Sequence, residues 1–308
     1  MERFRLKMFR TLWGVIKEAD GPMSIREALP KIRACGYEGV ETPIGIAMQN
    51  KDDFKALLKD NNLEFIGMCF SKAPDFLMPG ALGFKHHPKP GDSLQSHIDC
   101  TKAQIEECLT WGCYKINCHS GYDYFTRDEY FKFFQTILDY EKSLGTDVQI
   151  CHETHRKRIL HSPWSTRELA PAFPELKLTA DLSHFTCVAE SPPQDEALCS
   201  VIDLIAPQVY HIHGRVGYDH GPQVPDPRAA RWESYNVGFL AWWETIWRAA
   251  AARGDTEITF EPEHGPPNYQ MCDPVTDKPL ADIWEVNNYI MKRTQEHFDS
   301  LDIRVGQA

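Results

Sequence analysis

Acidic and imidazole side chains follow four apolar segments in the second half of the chain. These segments end in CHETHRKR, TADLSHF, VYHIHGR and TFEPEHG, which contain Glu153, Asp181, His213 and Glu261. Carboxylates gathered in a poorly solvated site repel one another, and burying each one bare costs several kcal/mol. A divalent cation removes that cost, and a set of oxygens with one imidazole and no thiolate suits Mn²⁺, Mg²⁺, Co²⁺ or Zn²⁺. The pattern predicts a metal site if the fold brings these segment ends together.

Eight strand-like segments alternate with eight helix-like segments along the chain. The predicted strands are residues 7–13, 39–42, 64–70, 115–119, 148–153, 177–181, 209–213 and 257–261. The predicted helices are residues 24–35, 52–60, 94–111, 127–144, 166–173, 196–205, 238–253 and 280–299. Such alternation favours a parallel sheet, and eight units predict a single (β/α)₈ TIM barrel over residues 1–308. An open doubly wound sheet would need a glycine-rich turn after the first strand, and TLWGVIKEADG lacks GxGxxG.

In a barrel, the carboxyl ends of all strands surround one mouth, where active sites are built. The ends of predicted strands five to eight are neighbours there, so their polar residues converge. Two long loops, residues 71–93 and 214–234, also leave carboxyl ends of strands and are predicted to border the mouth. Taken singly, Asp181 favours a helix cap, and His211 and His213 fit buried core histidines. The coincidence on four neighbouring strands favours one shared metal ion.

Composition restricts the partners of this protein. The 308 residues include 33 Lys and Arg against 44 Asp and Glu, a net charge of −11, which disfavours nucleic-acid binding. No segment approaches the ~20 consecutive apolar residues of a membrane helix, so no membrane association is expected. Ten cysteines without a CxxC pair predict free thiols in a reducing, cytoplasmic compartment. A homo-oligomer or an accessory subunit remains open.

The order Glu, DxxH, HxH and EP at strands five to eight resembles the sugar phosphate isomerase/epimerase family. That family belongs to the xylose isomerase-like TIM barrels, which also include metal-dependent AP endonucleases. The resemblance implies one divalent ion, with Mn²⁺ or Mg²⁺ favoured, held by Glu153, Asp181, His213 and Glu261. It also implies that His184 faces the substrate. Glu263 is close enough to replace Glu261, but Glu261 directly precedes proline, as the family pattern asks.

The chemistry expected of such a site is proton transfer on a sugar or sugar derivative. A metal chelated by a carbonyl and its neighbouring hydroxyl polarises the carbonyl, a base removes the α-proton, and the cation stabilises the enediolate. Return of the proton gives isomerisation or epimerisation, whereas loss of a β-substituent gives elimination.

More than one residue of the site could act as the base. In ketose 3-epimerases of the family, the glutamates corresponding to Glu153 and Glu261 act as bases, with another glutamate six residues after the first. This chain has Ile159 there. Instead, His155 follows Glu153 by two residues, an arrangement similar to the barrel subunit of enzymes that cleave 3-oxo-glycosides, where such a histidine is the base. His155 is therefore a third candidate base.

Weaker predictions concern the rest of the mouth. His119 and Arg215 are candidate substrate-binding residues, since an arginine can hold a hydroxyl, carboxylate or phosphate. Core packing is the default for each of the tryptophans that could stack on a sugar, Trp13, Trp164 and Trp232. His86 and His87, in the first long loop, fit either the mouth or a solvated surface.

Two other functions remain open. An AP-endonuclease-like phosphodiesterase would need more metal ligands on strands two to four and a basic groove. A metal-free barrel that serves as a binding or assembly subunit would engage the four acids and histidine in salt bridges or caps.

Overall fold

A closed barrel of eight parallel strands forms the centre of the protein. The computed structural model describes residues 2–46, 50–71 and 92–307. The strands pair in chain order, and the last pairs with the first. They are β1 Arg5–Thr11, β2 Gly39–Pro43, β3 Glu64–Phe70, β4 Lys115–His119, β5 Gln149–Glu153, β6 Leu178–Asp181, β7 Val209–His213 and β8 Glu257–Glu261. The predicted (β/α)₈ fold is confirmed; most of the predicted loop 71–93 lies outside the described residues.

Helices surround this barrel. They are α1 Ile25–Ala34, α2 Lys51–Asp60, α3 Leu94–Thr110, α4 Arg127–Leu144, α5 Pro163–Ala172, α6 Ser183–Ala189, α7 Glu196–Ile205, α8 Glu233–Arg253 and α9 Ile283–Ser300. The start of α1 follows from its sequence, because Ser24 and Glu27 form a capping box. After the other end of α1, Gly36 adopts a positive φ of 101°, a conformation that suits glycine just past a helix. No helix of the described residues is long and apolar enough to cross a membrane.

Alternation along each strand separates an apolar outer layer from a polar interior. On β8, Phe260 points outward and packs edge-on against Trp243 of α8, with ring centroids 4.8 Å apart. Thr259 points inward and bonds to His211. Because side chains two apart share a face, His211 and His213 both point into the barrel, where both contact Glu41 of β2. The polar residues at the strand ends therefore converge inside the barrel, as their spacing predicts.

Candidate metal centre

Side chains from four neighbouring strand ends meet in one buried cluster. One oxygen or nitrogen atom from each of Glu153, Asp181, His213 and Glu263 lies within 4.8 Å of the others. Three of these belong to the predicted ligand set. The fourth predicted ligand, Glu261, belongs to no such group among the described residues. The structure thus places Glu263 where Glu261 was expected, and the choice between the two as ligand stays a prediction.

Depth in the barrel separates these two glutamates. Because they are two residues apart, both side chains point to the inside of the barrel, but Glu263 comes later in the chain and reaches the cavity at the mouth. Glu261 ends the strand and lies deeper, next to Glu41. Burial and the Glu41 carboxylate raise the pKa of Glu261 well above its usual value. This environment favours a neutral carboxyl group at Glu261.

His213 lies between the cluster and a deeper carboxylate. Its Nδ1 is 3.0 Å from Glu263 Oε2 and 3.7 Å from Glu153 Oε1, while Nε2 is 3.2 Å from Glu41 Oε1. Burial alone would lower the pKa of His213, but these three carboxylates outweigh it and raise that pKa well above the usual value. The three carboxylates around His213 therefore favour a positive charge here, which either a protonated ring or a bound cation would supply.

Asp181 uses its two carboxylate oxygens differently. Oδ1 accepts hydrogen bonds from the backbone nitrogen and the hydroxyl of Ser183, at the start of α6. Oδ2 faces the cluster, 2.7 Å from Arg215 Nη2 and 3.3 Å from His184 Nε2. Although Arg215 opposes the effect, burial raises the pKa of Asp181 to about 6. Asp181 thus lies in the cluster and also contacts the first residue of α6, although Leu182, and not Asp181, occupies the N-cap position.

Arg215 bridges two of the clustered acids. The same Nη2 atom lies 2.7 Å from Asp181 and 2.5 Å from Glu263, and the side chain is buried. Such ion pairs are expected if the barrel holds no metal ion. However, Arg215 supplies one positive charge against the three carboxylates of Asp181, Glu263 and Glu153, which leaves two negative charges when His213 is neutral.

The donor set fits a divalent cation. Within the described residues, Glu153 Oε1 is buried without a hydrogen-bond partner, and it lies 3.7 Å from His213 Nδ1 inside the cluster. Three carboxylates, one imidazole and the absence of a thiolate match the preference of Mn²⁺, Mg²⁺ or Zn²⁺. A dication would also balance the two remaining negative charges.

Three histidines lie beside this cluster. His119 Nε2 is 2.8 Å from Glu153 Oε2, and the His119 ring stacks on Phe70. The ring of His155 lies 4.9 Å from that of His119 and 4.0 Å from that of His184. His119, Glu153 and His155 also form a second group able to hold a metal ion. The structure therefore brings these three histidines together, but His119 and His155 line the cavity, whereas His184, expected to face the substrate, is buried and does not belong to that lining.

The environment of His155 suits a neutral base. Its Nδ1 lies 2.6 Å from the carbonyl oxygen of Arg156 and donates to it, so Nε2 carries the lone pair. Tyr269 lies on that side, with its hydroxyl 3.4 Å from Nε2. Burial, with the nearby His184 and His119 rings, lowers the pKa of His155 well below its usual value.

A cavity of about 560 Å³ opens above the cluster. Its walls include His119, His155, Arg156, Arg158, Arg215, Glu263 and the aromatic residues Trp13, Phe70, Tyr122 and Tyr269. Among the described residues, Trp164 and Trp232 do not belong to this lining; Trp232 instead packs against Tyr218. His86 and His87 lie outside the described residues.

Two buried polar residues of the site were missed from sequence. Glu41 of β2 and Asn117 of β4 hydrogen-bond to each other over 2.9 Å, and Asn117 also donates to Glu153 over 2.8 Å. For Glu41 the available signal was the segment GVET, which places an acid in an apolar strand just as β5, β6 and β8 do.

A closed parallel barrel with convergent polar residues at the carboxyl ends of its strands is an architecture that serves many enzymes. The chain belongs to the xylose isomerase-like TIM barrel family, because that family's model matches residues 29–277. No curated protein sequence matches the chain.

Solved structures of low sequence identity share the fold. The 3-keto-D-glucoside 4-epimerase YcjR from E. coli superposes with a TM-score of 0.60 at 13% identity, covering 95% of this chain and 100% of its own. The D-allulose 3-epimerase from Methylomonas sp., in complex with D-allulose, gives 0.60 at 13% identity, with 96% and 99% coverage. The IOLI protein with a bound zinc atom gives 0.59 at 13% identity, with 96% and 98% coverage. At this identity the likeness establishes the fold alone.

Proposed function

We propose that this protein is a divalent-metal-dependent isomerase or epimerase of a sugar or sugar derivative, acting by α-proton abstraction. The observation that carries the proposal is the buried cluster of Glu153, Asp181, His213 and Glu263, whose charge Arg215 only partly balances. We assign these four residues as the metal ligands, with Glu261 as the alternative to Glu263. A bound Mn²⁺ or Mg²⁺ would polarise a substrate carbonyl and make the adjacent C–H more acidic. The sugar epimerases among the structural neighbours agree with a sugar substrate.

His155 is the base that the geometry favours. The hydrogen bond to the Arg156 carbonyl fixes its tautomer, so that Nε2 can accept a proton from substrate. Its lowered pKa keeps the ring neutral at neutral pH. By contrast, Glu153 is assigned as a metal ligand, and its Oε2 also accepts a hydrogen bond from Asn117 and lies 2.8 Å from His119 Nε2, which leaves that carboxylate less free to accept a proton.

Substrate contacts are assigned to the cavity wall. Arg215 is among the residues that line the cavity, and its Nε and Nη1 are buried without hydrogen bonds to the described residues, so a substrate oxygen would satisfy donors that the protein leaves unpaired. His119 also borders the cavity. His184 is fully buried against Asp181, so its role would be to support the cluster rather than to cover a large substrate surface.

A second candidate reaction is elimination from a 3-oxo-glycoside. The cavity volume of about 560 Å³ falls in the range of sites for drug-sized ligands, so it has room for a group beyond a single sugar ring. Trp13, Phe70, Tyr122 and Tyr269 supply aromatic surface for that group. A 3-keto-glucoside enzyme among the structural neighbours agrees with such a substrate.

The phosphodiesterase alternative has one observation in its favour. The group His119, Glu153 and His155 could hold a second metal ion beside the first. However, the net charge of −11 works against binding of a polyanionic nucleic acid. We therefore do not assign that activity.

The proposed function is tested by metal analysis and by proton exchange. Purified protein should bind divalent metal, and the metal-loaded protein should incorporate deuterium from D₂O at one carbon of a ketose, a 3-oxo-glycoside or a sugar phosphate. His155→Gln should abolish exchange and keep the metal. His161→Gln is a matched control, because this histidine lies on the same loop but not among the residues lining the cavity. Failure of the wild type to bind metal would overturn the proposal.

A further inference from the structure

A fully buried carboxylate lies beneath the proposed metal centre and has no role in the function proposed above. Glu41 Oε2 is 2.8 Å from His211 Nε2, and Oε1 is 3.2 Å from His213 Nε2. Oε1 also accepts a hydrogen bond of 2.9 Å from Asn117 Nδ2. Glu41 is not among the residues that line the cavity, so it does not contact a substrate there.

The contact with Glu41 determines which nitrogen of His213 faces the cluster. An imidazole that donates a hydrogen bond from one nitrogen presents a lone pair at the other. With Nε2–H donating to Glu41, the lone pair of Nδ1 points to the side where Glu153 and Glu263 lie. Metal-binding histidines commonly have such a carboxylate behind them, which fixes ring orientation and raises basicity.

The contacts of Asn117 agree with donation from His213 Nε2 to Glu41. Its amide nitrogen has two protons and lies 2.9 Å from Glu41, 2.8 Å from Glu153 and 3.4 Å from His213 Nε2. The two short contacts to carboxylates use both protons. His213 Nε2 is then left to donate to Glu41 rather than to accept from Asn117.

Glu41 is itself held in place by a deeper network. His211, which contacts Glu41 through Nε2, has its Nδ1 2.7 Å from Thr259 Oγ1. Lys115 donates to the same hydroxyl over 3.0 Å. These groups come from β4, β7 and β8, so they join Glu41 to three other strands of the barrel. A carboxylate fixed in this way can hold the His213 ring in one orientation.

We propose that Glu41 is a positioning residue that holds His213 with Nδ1 directed at the divalent cation. This inference rests on the metal centre proposed above. The competing role is that of a ligand, because Glu41, His211 and His213 could themselves hold an ion. The two roles differ in stoichiometry, since positioning predicts one ion per chain and an added ligand group predicts two.

Calorimetric titration with Mn²⁺ tests the proposal. Glu41→Gln should bind Mn²⁺ about 10- to 100-fold more weakly than the wild type at the same stoichiometry, as expected when a carboxylate behind a metal-binding histidine is lost. Glu141→Gln is the matched control, because Glu141 makes the same contact, 2.9 Å from His152 Nε2, outside the barrel. It should leave the affinity unchanged.

A second measurement needs no variant and covers the case in which Glu41→Gln does not fold. In Zn²⁺-loaded wild-type protein, nitrogen-15 NMR should show His213 bound through Nδ1, with a proton on Nε2. Coordination through Nε2, unchanged affinity of a folded Glu41→Gln protein, or loss of a second ion in that variant would each overturn the proposal. A wild type that binds no metal would instead contradict the proposed function itself.

Discussion

Replacing Arg215 by methionine tests the charge balance of the site. Arg215 Nη2 contacts both Asp181 and Glu263, and all three side chains are buried. Methionine retains much of the side-chain length but removes the charge and the hydrogen bonds. In protein without metal, the two carboxylates would then lie in the barrel with no guanidinium beside them.

The expected loss of stability depends on metal. Removing one partner of a buried ion pair costs about 3–5 kcal/mol, because the remaining charge is left uncompensated. At about 2 °C per kcal/mol for a chain of this size, Tm should fall by roughly 6–10 °C in the presence of a chelator. A bound dication replaces the missing charge and no longer competes with Arg215 for the same carboxylates. Saturating Mn²⁺ should therefore restore most of the loss, and the variant should bind Mn²⁺ more tightly than the wild type.

Thermal unfolding followed by circular dichroism, with EDTA or with saturating Mn²⁺, measures both effects. Arg293→Met is the matched control, because Arg293 pairs with the exposed Glu233, and surface pairs contribute about 0–1 kcal/mol. Its small loss should be the same in both conditions. An equal loss for Arg215→Met with and without Mn²⁺ would refute the reasoning, since the guanidinium and the cation would then not share the same carboxylates.

Other predictions follow from individual side chains. Glu263→Gln should weaken Mn²⁺ binding by more than about 10-fold, and Glu261→Gln should weaken it less; the reverse order in titration calorimetry would restore Glu261 as the ligand. His155→Gln should lower kcat by about 10²- to 10⁴-fold with metal affinity unchanged, and full activity would exclude it as the base. Burial raises the pKa of Cys118 and of Cys151 to about 11. These thiols should therefore stay unlabelled by iodoacetamide at pH 8 and react only after unfolding, as mass spectrometry would show.

The sequence predicts the barrel well because its strands are buried on both sides. Continuous apolar segments at regular intervals leave few alternatives to a parallel sheet. Helix α6 was missed, since its seven residues directly follow β6 and are too few to show a clear helical period. Helix α8 begins at Glu233, five residues before the predicted start. The sequence does not mark this start, because no side chain caps the helix there and a 3₁₀ turn leads into it.

The candidate site was predicted in position but not in depth. Strand ends show which residues point into the mouth, and so Glu153, Asp181 and His213 were found. Residues two apart share a face, however, and nothing in TFEPEHG shows whether Glu261 or Glu263 lies level with the other three. That level depends on the stagger between neighbouring strands, which is a property of the closed barrel.

Polar groups inside this barrel form two connected levels. The upper level contains the proposed ligands and reaches the cavity through Glu263, while Glu41, His211 and Glu261 lie below it. Asn117 joins the levels, because one amide group donates to both Glu41 and Glu153. Since the lower level does not reach the cavity, changes there should act through the geometry of the ligands. Its variants should therefore alter metal affinity first and catalysis only as a consequence, whereas variants of His155 should show the opposite order.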